Sequence, residues 1–305
     1  MKHKIRIGTR GSRLALWQAE HVQRELEKTG VTTEIVVIKT RGDLEQNLSL
    51  QKLEGKGFFT REIEQALLEE RIDLAVHSMK DLPTTPPEGL VISAVSYRED
   101  PADWLLIRRE SVREGEPLKL GPGARVGTSS NRRKAQLFDL RPDLELVDIR
   151  GNVPTRLRKL AEGQFDAIVL AAAGLIRLGI VLADFEVLPL NPREFVPAPA
   201  QGVLAMQTRI EDHETRKALL PLHHAEVAAV TNVERTILHL LEGGCHLPLG
   251  VYCERDPHGN FHVWTALAEA WNQPLRRLQH SSSTSYKLAE TIVKRLRTAS
   301  QPTKS

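Results

Sequence analysis

Arg6-Ile7-Gly8-Thr9, with Arg13 four residues on, returns as Arg125-Val126-Gly127-Thr128, with Arg132 four residues on. A second echo follows in the same order. Leu67, Glu69, Ile72, Asp73 and Val76 match Leu160, Glu162, Phe165, Asp166 and Val169 at equal spacing. Together the echoes read as two lobes built on one plan. Each Gly-Thr pair ends a short strand and opens a helix, so the plan is α/β with a largely parallel sheet. Two such lobes are expected to enclose a cleft, where ligands bind.

Working outward, the first lobe reads as a strand at Ile5 to Ile7 and a helix from Ser12 to Lys28. A β-branched strand follows at Glu34 to Thr40, then a helix capped by Thr60 and running to Glu70, then a strand at Leu74 to Val76. The second lobe reads as strands at Trp104 to Arg108, Arg125 to Thr128, Leu144 to Ile149 and Ala167 to Ala171, with a helix capped by Asn152. Ala225 to Leu241 is one long amphipathic helix, stopped by Gly243-Gly244. The tail is a smaller domain. It has strands at Leu247 to Cys253 and Phe261 to Ala268 and a helix from Thr284 to Arg297.

The chain has 305 residues, 41% hydrophobic and 27% charged, which suits a globular protein of two or three domains. The net charge of +3 excludes binding of nucleic acid by bulk charge. Two cysteines, Cys245 and Cys253, make no disulfide framework and no zinc pattern. The longest apolar run, Ala167 to Ile176, is too short to span a bilayer, and no apolar leader segment precedes the first strand. The expectation is a cytoplasmic protein. His223-His224 reads as a helix start rather than a metal site.

Three groups of residues carry chemistry. The two strand-to-helix turns bring Arg10, Ser12 and Arg13, and then Thr128, Ser129, Ser130, Arg132 and Arg133, to helix starts. Free N–H groups, hydroxyls and guanidinium groups there make anion sites, against the plainer reading of N-caps with solvated arginines. Arg150, Arg156 and Arg177 add to the second lobe, while Lys52 and Lys56 lie in a glycine-flanked loop. No phosphate-binding lysine loop or dinucleotide fingerprint is present, so the anion is better taken as a polycarboxylate. His77-Ser78-Met79-Lys80-Asp81-Leu82-Pro83 is the densest reactive group, at a strand's C-terminal end. Gly243-Gly244-Cys245 sets a thiol beside two glycines, fit for a nucleophile or a covalent attachment point; Cys253 reads as structural.

These segments resemble the porphobilinogen deaminase (hydroxymethylbilane synthase) family along almost the whole chain. The resemblance is carried by Arg6 to Gln18, Lys39-Thr40-Arg41-Gly42-Asp43, Gly55-Lys56-Gly57-Phe58-Phe59 and His77 to Pro83. Gly127 to Arg133, Arg150-Gly151-Asn152-Val153 with Arg156, and Leu241 to Cys245 complete it. Ala200 departs from the family's usual Gly before Gln201-Gly202.

The resemblance implies two lobes like those of type II periplasmic binding proteins, plus a small α+β C-terminal domain. The implied domains are 1–98 with 203–220 (the aspartate loop), 103–196 (arginine-rich binding) and 223–305 (cofactor attachment). It implies a monomeric transferase of haem and tetrapyrrole biosynthesis. Such an enzyme joins four porphobilinogen units head to tail into hydroxymethylbilane with loss of ammonia, on a dipyrromethane held to Cys245 by a thioether. It involves neither nucleic acid nor membrane.

By position Asp81 resembles the central catalytic acid. Arg10, Ser12, Lys80, Thr128, Ser129, Arg132, Arg133, Arg150, Arg156 and Arg177 resemble the carboxylate and cofactor contacts. Lys52 and Lys56 lie on what resembles the loop closing over the cleft. The alternative from another class is a two-lobed solute-binding or sensing protein for a small polycarboxylate, in which Gly243-Gly244-Cys245 has no role.

Overall fold

The computed structural model describes residues 4–39, 60–242 and 247–298. Two compact units divide the chain, Met1–Glu99 with Gly202–Ala229, and Asp100–Gln201 with Val230–Ser305. The segment 223–305 is therefore shared between them.

In the first unit β1 (Ile5–Thr9), β2 (Thr33–Val37), β3 (Leu74–Ser78) and β4 (Leu90–Val95) alternate with helices α1 (Arg13–Lys28) and α2 (Arg61–Leu68). In the second, β5 (Asp103–Arg108), β6 (Arg125–Gly127), β7 (Glu145–Val147), β8 (Ala167–Ala171) and β9 (Phe185–Leu190) alternate with α3 (Asn131–Leu140), α4 (Val153–Ala161) and α5 (Ala172–Arg177). The chain then returns to the first unit as β10 (Leu204–Arg209).

The two sheets share one topology. The first runs β2-β1-β3-β10-β4 and the second β7-β6-β8-β5-β9. In each, the first three strands are parallel and the fourth is antiparallel to both neighbours. The echoes occupy equivalent positions: Ile7 pairs with Leu74, and Val126 pairs with Ala167. The echoed glycines have a packing reason. A Cβ at Gly8 would run into Ile72 Cδ1, and one at Gly127 would lie 2.9 Å from Phe165 Cδ1.

Alternation along the strands gives each sheet two cores. Leu74 and Val76 pack with Val22 and Leu26 of α1, while Ala75 packs with Ile63 and Leu67 of α2. Leu105 and Ile107 pack with Leu137 of α3, while Leu106 packs with Leu157 and Leu160 of α4. Each such leucine, fully buried, contributes roughly 1.5–3 kcal/mol.

Local signals act largely as read. Ser12 Oγ accepts the Ala15 N–H at 3.3 Å, and Asn152 Oδ1 accepts the Thr155 N–H at 3.0 Å. Thr60 is a correction: its side chain makes no cap hydrogen bond, and its hydroxyl donates to Glu64 Oε2 at 3.3 Å. Its backbone, at φ −115° and ψ −24°, lacks the extended conformation by which Ser12 and Asn152 aim their oxygens at the first helical N–H groups.

Beyond α6 (His213–Ala218), α7 (Ala225–Leu240) runs from the first unit into the second. His224 Nδ1 accepts the Val227 N–H at 3.3 Å near its start. An antiparallel sheet β11-β12-β13 (Leu249–Arg255, Phe261–Leu267, Arg276–Ser282) is followed by α8 (Leu288–Thr298). This is the small α+β portion. No helix among the described residues is long and apolar enough to cross a membrane.

Candidate functional site

In the first unit the expected residues gather at one end of the sheet, because β1 and β3 are parallel neighbours and both end there. Arg10, half-buried, follows β1, and Ser12 caps α1. A single 3₁₀ turn, Met79–Asp81, follows β3. Met79 is its anchor, buried, with its N–H on Val203 O at 2.9 Å. Lys80 is half-buried and Asp81 exposed.

Two buried amides hold this strand end. Gln18 on α1 donates through Nε2 to Ser78 Oγ at 2.9 Å. Gln207 on β10 donates to Glu64 Oε1 at 3.1 Å, which turns its Oε1 toward His77 Nε2, also at 3.1 Å. His77 is therefore the Nε2–H tautomer, and burial pushes its pKa down to about 4 against the weaker pull of Gln207. It is a neutral strut rather than an acid or base.

In the second unit the loops after β6, β7 and β8 meet at the corresponding end. Thr128 is buried and its hydroxyl oxygen accepts the Ser130 N–H at 3.3 Å. Ser129 is committed to the backbone of Ile149, donating to its carbonyl at 2.9 Å and accepting its N–H at 3.1 Å. Arg132 and Arg133, both buried, converge on Asp103 with contacts of 2.7 Å each. Burial works against that carboxylate's charge, but the two guanidinium groups outweigh it and hold its pKa well below the usual range. Arg132 Nη1 also donates to Val196 O at 2.9 Å, and Arg133 Nη1 to Val169 O at 2.9 Å.

Arg156, on α4, donates through Nε to Gly151 O at 2.8 Å. Its pKa is lowered to about 10, first by desolvation and then by the like charges of Arg133 and Arg150. Among the described residues neither Arg150 nor Arg156 has a carboxylate partner. Arg133 Nε is buried with no hydrogen-bond partner. Arg177 is buried at the last turn of α5. A set of guanidinium groups that repel one another, with an unmatched buried donor among them, fits a ligand bearing several carboxylates such as a dipyrromethane.

Lys52, Lys56 and Cys245 lie outside the described residues, as do Gly243 and Gly244. Cys253 is buried in β11. Sequence reasoning missed Asp103, Gln18 and Gln207. Asp103 alone had a signal, as a charged residue opening the apolar run Trp104 to Ile107.

Residues 5–217 match the family model "Porphobilinogen deaminase, dipyromethane cofactor binding domain". The chain is 48% identical over 260 residues to the porphobilinogen deaminase of Nitratidesulfovibrio vulgaris (strain DSM 19637 / Miyazaki F), covering 85% of this chain and 80% of that one. It is 46% identical over 267 residues to the porphobilinogen deaminase of Chloroherpeton thalassium, covering 87% and 83%. Among solved structures it is similar to the methionine binding protein MetQ, with 16% identity, a TM-score of 0.44, and coverage of 72% of this chain and 89% of that one. With the matched domain and relatives spanning most of its length, this chain belongs to the porphobilinogen deaminase family and carries that family's dipyrromethane-cofactor-binding domain.

Proposed function

We propose that this chain joins four molecules of porphobilinogen head to tail, releasing ammonia at each addition, and that one water then cleaves the finished tetrapyrrole from its primer to give hydroxymethylbilane. The arrangement of Arg133, Arg150 and Arg156 carries the proposal. Arg133 and Arg150 lie close enough to add to the desolvation that depresses Arg156, and among the described residues Arg150 and Arg156 have no carboxylate partner, an arrangement that favours a polyanionic guest. Each pyrrole ring of the substrate bears an acetate and a propionate.

The roles divide by segment. Residues 1–98 with 203–220 carry Asp81, and 103–196 carry the arginines. Residues 223–305 carry Cys245, whose sulfur would hold dipyrromethane by a thioether. When bound, the cofactor supplies the pyrrole terminus on which chain growth begins. Loss of ammonia leaves a cation on the substrate pyrrole, and the Asp81 carboxylate stabilises it. Protonated, the same group assists departure of the amine. Arg10, Ser12, Lys80, Thr128, Ser129, Arg132, Arg133, Arg150, Arg156 and Arg177 bind carboxylates of the growing chain and hold its rings in register, Ser129 through its backbone N–H because its hydroxyl proton goes to Ile149 O. Sparse cysteine supports a cytoplasmic setting, and the small net charge supports a chain that works without nucleic acid. The solute-binding alternative rests on likeness of fold alone.

Intact mass tests the proposal. The purified chain is expected to exceed its sequence mass by two condensed pyrrole units. Cys245→Ser loses both adduct and activity, and Cys253→Ser keeps both. A fully active chain of unmodified mass refutes the attachment.

A further inference from the structure

Asp103 is fully buried at the start of β5, and three side chains converge on its carboxylate. Arg132 Nη1 donates to Oδ2 at 2.7 Å, Arg133 Nη2 to Oδ1 at 2.7 Å, and Gln201 Nε2 to Oδ1 at 3.0 Å. Gln201 is itself fully buried, and its Nε2 also donates to Pro101 O at 2.8 Å. The residue before it, Ala200, stands at φ +61° and donates its N–H to Glu234 Oε2 at 2.6 Å. Glu234, buried on α7, accepts the Cys253 N–H on its other oxygen at 2.8 Å. Hydrogen bonds on either side of the Ala200–Gln201 peptide bond thus link α7 to Asp103 and the arginine pair.

Guanidinium groups keep their protons in proteins. Two of them with one carboxylate leave a net single positive charge, in a place where two unpaired cations would repel. The shared carboxylate also fixes both guanidinium planes, so the rotamer entropy of two long side chains is lost on folding rather than on binding. Arg133 Nε is left as a buried N–H donor in a fixed plane.

We infer that Asp103 is a positioning residue, held by Gln201, that sets the orientation and net charge of Arg132 and Arg133 for the carboxylates they bind. The inference rests on the proposed binding role of those arginines. Its consequence is that removing Gln201, which carries no charge and lies in none of the anion-binding turns, weakens carboxylate binding.

Asp103→Asn and Gln201→Met are compared with the wild-type chain by thermal denaturation, intact mass and steady-state kinetics with porphobilinogen. Folded Gln201→Met is expected to load cofactor incompletely and to raise KM about tenfold, with kcat of the loaded fraction within about twofold. Asp103→Asn is expected to raise KM further. A lowered melting temperature with wild-type loading and KM in both variants marks a purely structural role and overturns the inference. If Asp103→Asn does not fold, Gln201→Met, which preserves every charge, decides alone. Arg133→Leu separates the two levels. Normal loading and turnover in Arg133→Leu refute the arginine reading and the inference with it. An impaired Arg133→Leu beside normal Asp103→Asn and Gln201→Met refutes the inference only.

Discussion

Asp73 and Asp166 do the same work in the two sheets. Asp73 donates its N–H to Arg6 O at 2.9 Å and accepts the Arg6 N–H at 3.0 Å; Asp166 does the same with Arg125, at 2.9 and 2.8 Å. Their side-chain partners differ. Asp73 also takes Arg6 Nε and Nη2 and Arg209 Nη2, whereas Asp166 takes the Ser111 hydroxyl. Burial opposes the charge of Asp73, but these donors outweigh it and hold its pKa at about 2. A carboxyl depressed from 3.8 contributes stability above that value and loses it as pH falls toward 2. The contribution is about 2 kcal/mol. Asp73→Asn is expected to cost at least this much at pH 7, and more than Asp166→Asn, in urea unfolding. Equal losses contradict the assignment.

His77 gives a second pH window of the same sign. The neutral imidazole is favoured in the fold, with the pKa near 4 against 6.5 for the free side chain. Below 6.5 the unfolded chain takes up the proton first, so stability present above pH 6.5 is lost as pH falls toward 4. This loss amounts to about 3 kcal/mol. His77→Gln should flatten the stability curve over that window while leaving the steeper acid limb below it. An unchanged slope shows that another group titrates there.

Asp81 is exposed at the end of its turn, which is closed by the Leu82 N–H on Met79 O at 3.2 Å. Asp81→Asn is expected to leave the melting temperature in place and to slow ammonia release about 10²–10³-fold in single turnover. Asp81→Glu retains more activity, since it keeps the charge and misplaces it. A near-wild-type rate for folded, cofactor-loaded Asp81→Asn removes the catalytic role.

Arg156 is held against its like-charged neighbours. Arg156→Leu should therefore unfold at the same or a slightly higher temperature while turnover falls about tenfold to hundredfold, the loss of one charge-assisted contact of roughly 1.5–3 kcal/mol. Arg156→Lys restores part of the loss, because the planar fork is absent. Mass spectrometry of the working enzyme should show chains stalled at intermediate ring numbers. Normal turnover with no stalled species assigns Arg156 to the surface.

Ala200 sits in the left-handed region at φ +61° with its methyl fully buried. For a non-glycine residue that conformation costs about 1–2 kcal/mol. Ala200→Gly relieves it but adds about 0.4–1 kcal/mol of unfolded-state entropy and loses methyl packing, so the expected change is within about 1 kcal/mol of zero. Ala200→Val, branched at Cβ, is expected to destabilise by more than about 2 kcal/mol. Denaturant titration of both checks the pair; a stable Ala200→Val contradicts the strain.

Much of this was legible because the signals are local. Ala167–Ala171 is an unbroken apolar run and reads as a strand at its observed bounds, and Ser12 and Asn152 announce their helices. What escaped depends on distant partners. Leu204–Arg209 is a strand because β3 and β4 flank it, both more than a hundred residues earlier in the chain. Phe185–Leu190 contains Pro189, which an edge strand tolerates and a sequence pattern discounts. Arg276–Ser282 is polar on both faces and takes its order from β12. At the site, the arginines were visible from their turns. Asp103 was not recognised as their partner, because the pairing spans about thirty residues and is made only when β5 lies beside β8.

The placement of β10 also orders how the chain is made. The sheet of β5 to β9 is contiguous in sequence, so it can close as soon as Leu190 has left the ribosome. The sheet begun at Ile5 cannot, because its fourth strand ends at Arg209. Until then the edges of β3 and β4 that will flank β10 have no partner, and an unpaired edge invites association with other nascent chains. The lobe translated first is completed last, and the interval between them is the window in which a chaperone has something to shield.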